Sequence, residues 1–77
     1  MGLLTVRVLR SAESKAEDIA ETAANQRLAG ELTLHGDGTQ VSWRWRVPTP
    51  AMATVVAEAL RNQLGRHELL DLTTTDA

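Results

Sequence analysis

Residues 41–47 read Val-Ser-Trp-Arg-Trp-Arg-Val, an unbroken alternation of apolar and polar side chains. This alternation is typical of a β-strand with one buried face and one exposed face. The segment also contains both tryptophans of the chain and two of its eight Lys and Arg residues. It therefore predicts where the core lies and which surface, that of Arg44 and Arg46, a partner could contact.

A β-hairpin is predicted immediately before this strand. Asp37-Gly38 is typical of a two-residue type I′ turn, in which both central residues take positive φ. Closing the loop there makes leucines oppose Val and Trp and makes a glutamate oppose an arginine, an agreement that a one-residue slip would destroy. The expected pairs are Gly36 with Thr39, His35 with Gln40, Leu34 with Val41, Thr33 with Ser42, Leu32 with Trp43, and Glu31 with Arg44.

The same register predicts the environment of the apolar side chains in the hairpin. Leu32 and Leu34 should face the core together with the tryptophans. Trp45 should be the exception and stay partly exposed, because its partner across the hairpin is Gly30.

A first helix is predicted between an initial strand, Leu4–Arg10, and the hairpin. Ser14 with Glu17 forms a capping-box pattern, Ser11 is a competing cap, and Gly30 is the expected left-handed C-cap. The expected buried stripe comprises Ala16, Ile19, Ala20, Ala23, Ala24 and Leu28.

A second helix is predicted after the hairpin. Thr49 is its expected N-cap, Pro50 its first residue and Gly65 its C-cap. Its expected buried stripe comprises Met52, Val55, Val56, Ala59, Leu60 and Leu64, with Thr54, Glu58, Arg61 and Asn62 facing water.

The element order predicts one small α+β domain over residues 1–77, with a ferredoxin-like β-α-β-β-α(-β) arrangement. Two helices should cover one face of an antiparallel sheet in which the Trp-Arg strand is central. The segment Glu68–Thr73 is read as an edge strand or, alternatively, as a loose helical turn. Residues 74–77 are expected to be a frayed tail.

The composition bounds the class of protein. The chain has 77 residues, a formal net charge of −2, and no Cys, Phe or Tyr. A light core of this kind favours self-association or binding to a larger partner. The net charge disfavours nucleic-acid binding by bulk electrostatics. Since no apolar run has membrane-spanning length and Met1–Val6 lacks signal-peptide features, we expect a cytoplasmic protein without membrane contact.

Catalytic and metal-binding patterns are poorly represented in the sequence. His35 and His67 belong to no metal-spaced cluster, and the chain has no thiol and no recognisable catalytic or phosphate-binding motif. The sequence therefore predicts that the protein is not an enzyme and uses neither a metal nor another cofactor.

The candidate partner-binding residues are Arg7, Arg44, Arg46 and Trp45. In the predicted fold the three arginines share the sheet face that the helices leave open. Arginine forks there could recognise a carboxylate, a phosphate or a protein partner. The alternative is a solvated face whose arginines pair with Glu31 and cover Leu9.

Nucleic-acid binding is a second hypothesis for this open face. RRM-type proteins stack bases on aromatic residues of such a face, whereas here Thr5, Arg7 and Thr33 occupy it. Nucleic-acid binding on this face would therefore occur through contact of Arg7, Arg44 and Arg46 with the RNA or DNA backbone and not through base stacking.

The second half of the chain resembles a known family. The hairpin beginning Glu31-Leu32-Thr33-Leu34, followed by a helix with Ala59-Leu60-Arg61-Asn62, is similar to Pcc1-type subunits of the tRNA-modifying KEOPS complex. The resemblance implies a small, dimerising, non-catalytic accessory subunit.

The sequence thus favours a protein–protein interaction module, either a dimerising accessory or regulatory subunit or an inhibitor. It would act through a sheet edge or through the arginine face. Its expected partner is another protein, itself, or both.

Overall fold

The computed structural model describes residues 2–76. The elements are β1 (Gly2–Leu9), a 3-10 turn (Arg10–Ala12), α1 (Glu13–Ala24), β2 (Ala29–His35), β3 (Gln40–Val47), α2 (Pro50–Gln63) and β4 (Leu69–Asp76). The strands form one antiparallel sheet in the order β2-β3-β1-β4. This confirms a small α+β domain with two helices and a central β3. Within residues 2–76 neither helix is long and apolar enough to cross a membrane.

The hairpin register is confirmed, but its turn differs from the prediction. β2 and β3 pair from Ala29 opposite Arg46 to His35 opposite Gln40. Positive φ occurs at Gly36 (61°) and Gly38 (81°), and not at Asp37. The Gly38 N–H donates to the His35 carbonyl at 3.1 Å. The two-residue type I′ turn is therefore wrong, because a wider loop lets glycine alone occupy the left-handed region, where it pays no steric cost.

Both ends of α1 differ from the predicted ones. The helix follows the 3-10 turn directly, and its N-cap, Ala12, makes no side-chain capping bond. The capping box at Ser14 is therefore wrong. The C-cap is Asn25, with φ of 56°, whose N–H donates to helix carbonyls. Asparagine tolerates this left-handed conformation, so Gly30 is not needed as a cap and lies within β2.

The start of α2 is confirmed, and its C-cap and buried face are corrected. The Thr49 hydroxyl oxygen accepts a hydrogen bond from the Met52 N–H at 3.1 Å, and Pro50 opens the helix. The C-cap is Leu64 in an extended conformation, so Gly65 does not cap the helix. Val55 is 52% exposed, contrary to prediction. The buried face instead comprises Ala53, Val56, Ala57 and Leu60, and its two alanines give little signal in a pattern of large apolar side chains.

Trp45 is the largest fully buried side chain and is only 1% exposed, so the expectation that it stays partly exposed is wrong. A Cβ atom on Gly30 would lie 2.6 Å from Trp45 Cδ1 and 2.7 Å from the Arg44 carbonyl oxygen. The indole therefore occupies the space that the missing side chain of Gly30 leaves. Trp43 stacks on Trp45 with ring centroids 5.4 Å apart and an angle of 11° between the planes.

The helices leave β2 uncovered. Leu32 and Leu34 lie opposite Trp43 and Val41, on the helix side of the sheet. They are nevertheless 40% and 56% exposed, so their predicted burial is wrong. The buried cluster draws on β1, β3, α1 and α2, and contains no residue of β2.

The last segment is an edge strand rather than a helical turn. β4 pairs with β1 from Leu69 opposite Val8 to Asp76 opposite Gly2, with a bulge between Arg7 and Val8. Residues 74–76 thus belong to the strand and not to a frayed tail, because β1 begins at Gly2 and offers them ladder partners. Ala77 lies outside the described residues.

Glu68 connects the segment before β4 to α1. Its Oε1 accepts a hydrogen bond from the Gly65 N–H at 2.8 Å and contacts Lys15 Nζ at 3.1 Å. The Gly65 N–H, and after it Lys15, hold the pKa of Glu68 below its usual value of 4.5. Both contacts favour the ionised carboxylate.

Gly30→Ala should lower the free energy of unfolding by about 1–3 kcal/mol, because the new methyl group overlaps an indole and a backbone carbonyl. Chemical denaturation measures the change. Gly65→Ala is the control, since the nearest atoms there belong to the ends of the His67 and Glu68 side chains. Equal stability of Gly30→Ala and the wild type would show that Trp45 does not require the glycine.

Glu68→Gln should lower the melting temperature at neutral pH and leave it nearly unchanged in acid. A lowered folded-state pKa gives stabilisation that is fully present above the usual value of 4.5 and is lost as the pH falls through the lowered pKa. Thermal melts of both proteins over a pH series measure the gap, which should close in acid. Glu58→Gln, at an exposed position of α2, is the control. A gap that does not change with pH would contradict this account.

Candidate functional site

The open face is the sheet face opposite the helices, and the registers fix its residues. Side chains on this face alternate with those of the buried cluster along β1 and β3. Its rows, from β2 to β4, are Ala29, Arg46, Leu3 and Thr75; Glu31, Arg44, Thr5 and Thr73; Thr33, Ser42, Arg7 and Asp71; and His35, Gln40 and Leu9. The structure thus brings together every residue predicted for this face.

All three candidate arginines are exposed on the open face. Arg44 and Arg46 line an open depression of about 340 Å³, together with Leu3, Ala29, Gly30 and Glu31. Arg7 lies opposite Ser42, one diagonal step from Arg44. Guanidinium groups in this arrangement present hydrogen-bond donors toward solvent from two adjacent strands.

Acidic side chains partly offset this positive charge. Glu31 lies opposite Arg44, and Asp71 of β4 lies opposite Arg7. Among the side chains that the structure describes, the one ion pair closer than 4.0 Å is the Lys15–Glu68 contact, so these cross-strand charges attract each other through solvent. The local sequence pattern predicts the position of Glu31 but not that of Asp71, because it does not encode the register of β4 with β1.

One hydrogen bond on this face joins a hydroxyl to an imidazole. Ser42 Oγ lies 2.7 Å from His35 Nε2. The two residues are diagonal neighbours on paired strands, a position where side chains commonly interact. The contact orders the His35 ring at the end of β2. Neither residue lines the depression beside Arg44.

Trp45, the fourth candidate residue, cannot contact a partner in this structure because it is buried. Trp43 is partly buried on the helix side, beside exposed Leu32. In the part of the chain that the structure describes, the indole N–H of Trp43 is the buried side-chain donor without a hydrogen-bond partner. The tryptophans therefore contribute to the core, and Trp43 also contributes to the apolar border along β2.

The β2 edge is the outer side of Ala29–His35 together with the side chains of Leu32 and Leu34. β2 pairs only with β3, so alternate backbone N–H and C=O groups point outward without a strand partner. Every residue is exposed except His35, which is partly buried. The strand contains no Pro, Lys or Arg, and its register with β3 is unbroken.

The opposite edge of the sheet is built differently. α2 contacts β4, and Leu69 and Leu72 pack against the core, while Leu70 is 41% exposed. A bulge interrupts the pairing of β4 with β1, and the C-terminal half of β4 is rich in threonine. Bulges and coverage by a helix are devices that reduce edge-to-edge pairing, so the two edges differ in their capacity to bind another strand.

Sequence reasoning missed the exposure of the β2 edge because alternation alone assigned Leu32 and Leu34 to the core. A signal was present in the alanine-rich faces of the two helices, which cover little area per residue. Comparisons with models of protein families, with curated proteins and with solved structures find no match to this chain. Function must therefore be inferred from the surfaces themselves.

Proposed function

We propose that this protein is a non-catalytic interaction module that binds a protein partner by β-strand addition at the β2 edge. In such binding, backbone hydrogen bonds supply affinity and alternate side chains supply specificity. The observation that carries the proposal is the exposure of Leu32 and Leu34 on an unpaired edge strand.

The energetics of the β2 edge agree with a docking role. Fully burying a leucine is worth about 1.5–3 kcal/mol, so covering two leucines that are about half exposed gains on the order of 2 kcal/mol. The outward backbone groups of β2 would exchange water for directed partners at the same time. An accessory or regulatory subunit of the kind that the sequence suggests would use this edge.

The finer topology of the fold belongs to the same proposal. Each half of the chain is a strand-helix-strand unit, β1-α1-β2 or β3-α2-β4, and each unit has one strand of the other half between its own two strands. This interleaving supports a ferredoxin-like split βαβ arrangement. In it, β2 is an edge strand for a topological reason and not by accident of packing.

Binding of a nucleic-acid backbone is the second candidate function. An accessory subunit of an RNA-modifying complex of the KEOPS kind could act in this way. The depression beside Arg44 and Arg46 favours it, since two guanidinium groups there could contact phosphates. Glu31 and Asp71 weaken it by lowering the positive potential of the same face.

Leu34→Lys should abolish capture of the protein partner, because it places a charge on the helix side of the docking edge. Affinity capture from the native host, with the tagged full chain as bait, measures the effect. Val55→Lys is the matched control. Val55 lies on α2 and is 52% exposed, close to the 56% exposure of Leu34. Loss of the partner with Leu34→Lys alone supports the proposal. Equal capture by both variants would refute docking at β2.

Arg44→Glu combined with Arg46→Glu tests the arginine face and should leave the melting temperature nearly unchanged, because both side chains are exposed. If nucleic acid binds there, titration of the wild type at low salt gives an affinity that falls as salt rises, and the double variant loses it. No binding by the wild type at low salt would eliminate the second candidate. Loss of protein capture in this variant, with Leu34→Lys unaffected, would move the docking surface to the open face.

A further inference from the structure

We propose that the partner at the β2 edge is a second copy of this chain, paired antiparallel about a two-fold axis through Thr33. The product is one continuous eight-stranded sheet with both helix layers on the same side. This inference rests on the proposed function, since it names the occupant of the same edge.

The sequence of β2 is complementary to itself in this register. Antiparallel pairing about Thr33 places Leu32 opposite Leu34 of the second copy, and the reverse. Both leucines lie on the helix side of the sheet and are exposed in the single chain. Pairing therefore covers four leucine side chains with one another, two from each copy, next to Trp43.

Hydrogen-bond complementarity on the open face favours the same register. Pairing about Thr33 places Glu31 opposite His35 of the second copy, so a carboxylate faces an imidazole twice across the axis. His35 Nε2 already contacts Ser42 Oγ at 2.7 Å. When the hydroxyl donates to Nε2, the ring hydrogen lies on Nδ1, which is then a donor for a carboxylate. In that tautomer the Ser42 contact and a hydrogen bond to Glu31 of the second copy are compatible with each other.

A register shifted to an axis through Leu32 lacks these matches. It would keep Leu32 opposite Leu32 of the second copy, but would place Glu31 opposite Thr33 and Leu34 opposite Gly30, which has no side chain to cover it. A register in which helix-side residues oppose open-face residues would turn one copy over, so that the leucines of the two copies no longer meet. The two-fold pairing about Thr33 is therefore the one in which both leucines of each copy lie opposite a leucine of the other.

The composition of the chain gives a reason for such pairing. A 77-residue chain without Phe, Tyr or Cys has a small core and no disulfide to reinforce it. Joining two sheets extends the core across the axis through the leucines. A stable protein interface typically buries about 800 Å² on each partner. Pairing through a seven-residue edge strand with two leucines buries less area than this. We therefore expect a dissociation constant in the micromolar range.

Sedimentation equilibrium of the purified full chain over a concentration series tests the occupant of the edge. We expect dimers for the wild type and for Val55→Lys, and monomers for Leu34→Lys with unchanged circular dichroism. A wild type that stays monomeric up to millimolar concentration overturns the inference. So does a Leu34→Lys variant that dimerises as well as the wild type.

Cysteine cross-linking tests the register without relying on a destabilising variant. The chain has no cysteine, so any disulfide must join introduced residues. Thr33→Cys should oxidise to a covalent dimer within minutes, because the two introduced side chains face each other on the axis. Thr73→Cys is the matched control, an exposed threonine of the same face on β4.

A mixed experiment checks the flanking pairs. Glu31→Cys and His35→Cys proteins should cross-link with each other when mixed, and neither should do so alone. Two copies of residue 31 lie about 14 Å apart along the strand in this register, at about 3.4 Å for each of four residues. A disulfide cannot join Cα atoms more than about 7 Å apart. The register would be overturned if Glu31→Cys alone cross-linked faster than the mixture, or if Thr73→Cys cross-linked faster than Thr33→Cys.

These outcomes separate the inference from the proposed function. A monomeric wild type whose capture of another host protein depends on Leu34 would overturn self-pairing and retain the interaction module. A dimer that cross-links through Thr33→Cys, with no partner other than itself captured from the host, would establish self-pairing and remove a second protein from the proposed function.

Discussion

The contact between the Trp45 indole and Gly30 is the constraint on which the rest of the sheet depends. The chain has no Phe or Tyr, and most residues that its helices contribute to the buried cluster are alanines. One large aromatic side chain must therefore fill the space that small helix residues leave, and it does so only if the neighbouring strand offers room. Gly30 offers that room at the start of β2, and the hairpin register that brings it opposite Trp45 follows from the same alternation that buries the ring.

This solution has a consequence for β2. The indole of Trp45 packs against the backbone of β2. The other helix-side residues of that strand, Leu32 and Leu34, have no helix above them. The apolar surface of these leucines therefore stays in contact with water in the single chain, and its burial by a partner would be favourable. Pairing with β3 and the close contact at Gly30 hold β2 in place, and its uncovered leucines can still be stabilised by a partner.

Much of the fold could be predicted from the sequence because hairpin register depends on local pairing. The positions of Leu32, Trp43 and Arg44 follow from period-two alternation and the closing of one loop. Exposure could not be predicted the same way, since alternation shows which face a side chain takes but not how far a helix layer extends. The predicted partial exposure of Trp45 and the predicted burial of Leu34 were both wrong for this reason. The acidic neighbour of Arg7, Asp71, depends on a pairing between the two ends of the chain, which no local pattern encodes.

Glu31 links the two surfaces that the structure offers. It lies opposite Arg44 on the open face and also belongs to the β2 edge. A strand bound at that edge would bring a new side chain beside the Glu31 carboxylate, and a cationic or hydrogen-bonding group there competes with Arg44 for it. A cationic group there would offset the negative charge of Glu31 and raise the positive potential of the depression that Glu31 lines with Arg44 and Arg46. The arginine face and the β2 edge are therefore electrostatically coupled, and a substitution at Glu31 would alter both surfaces at once.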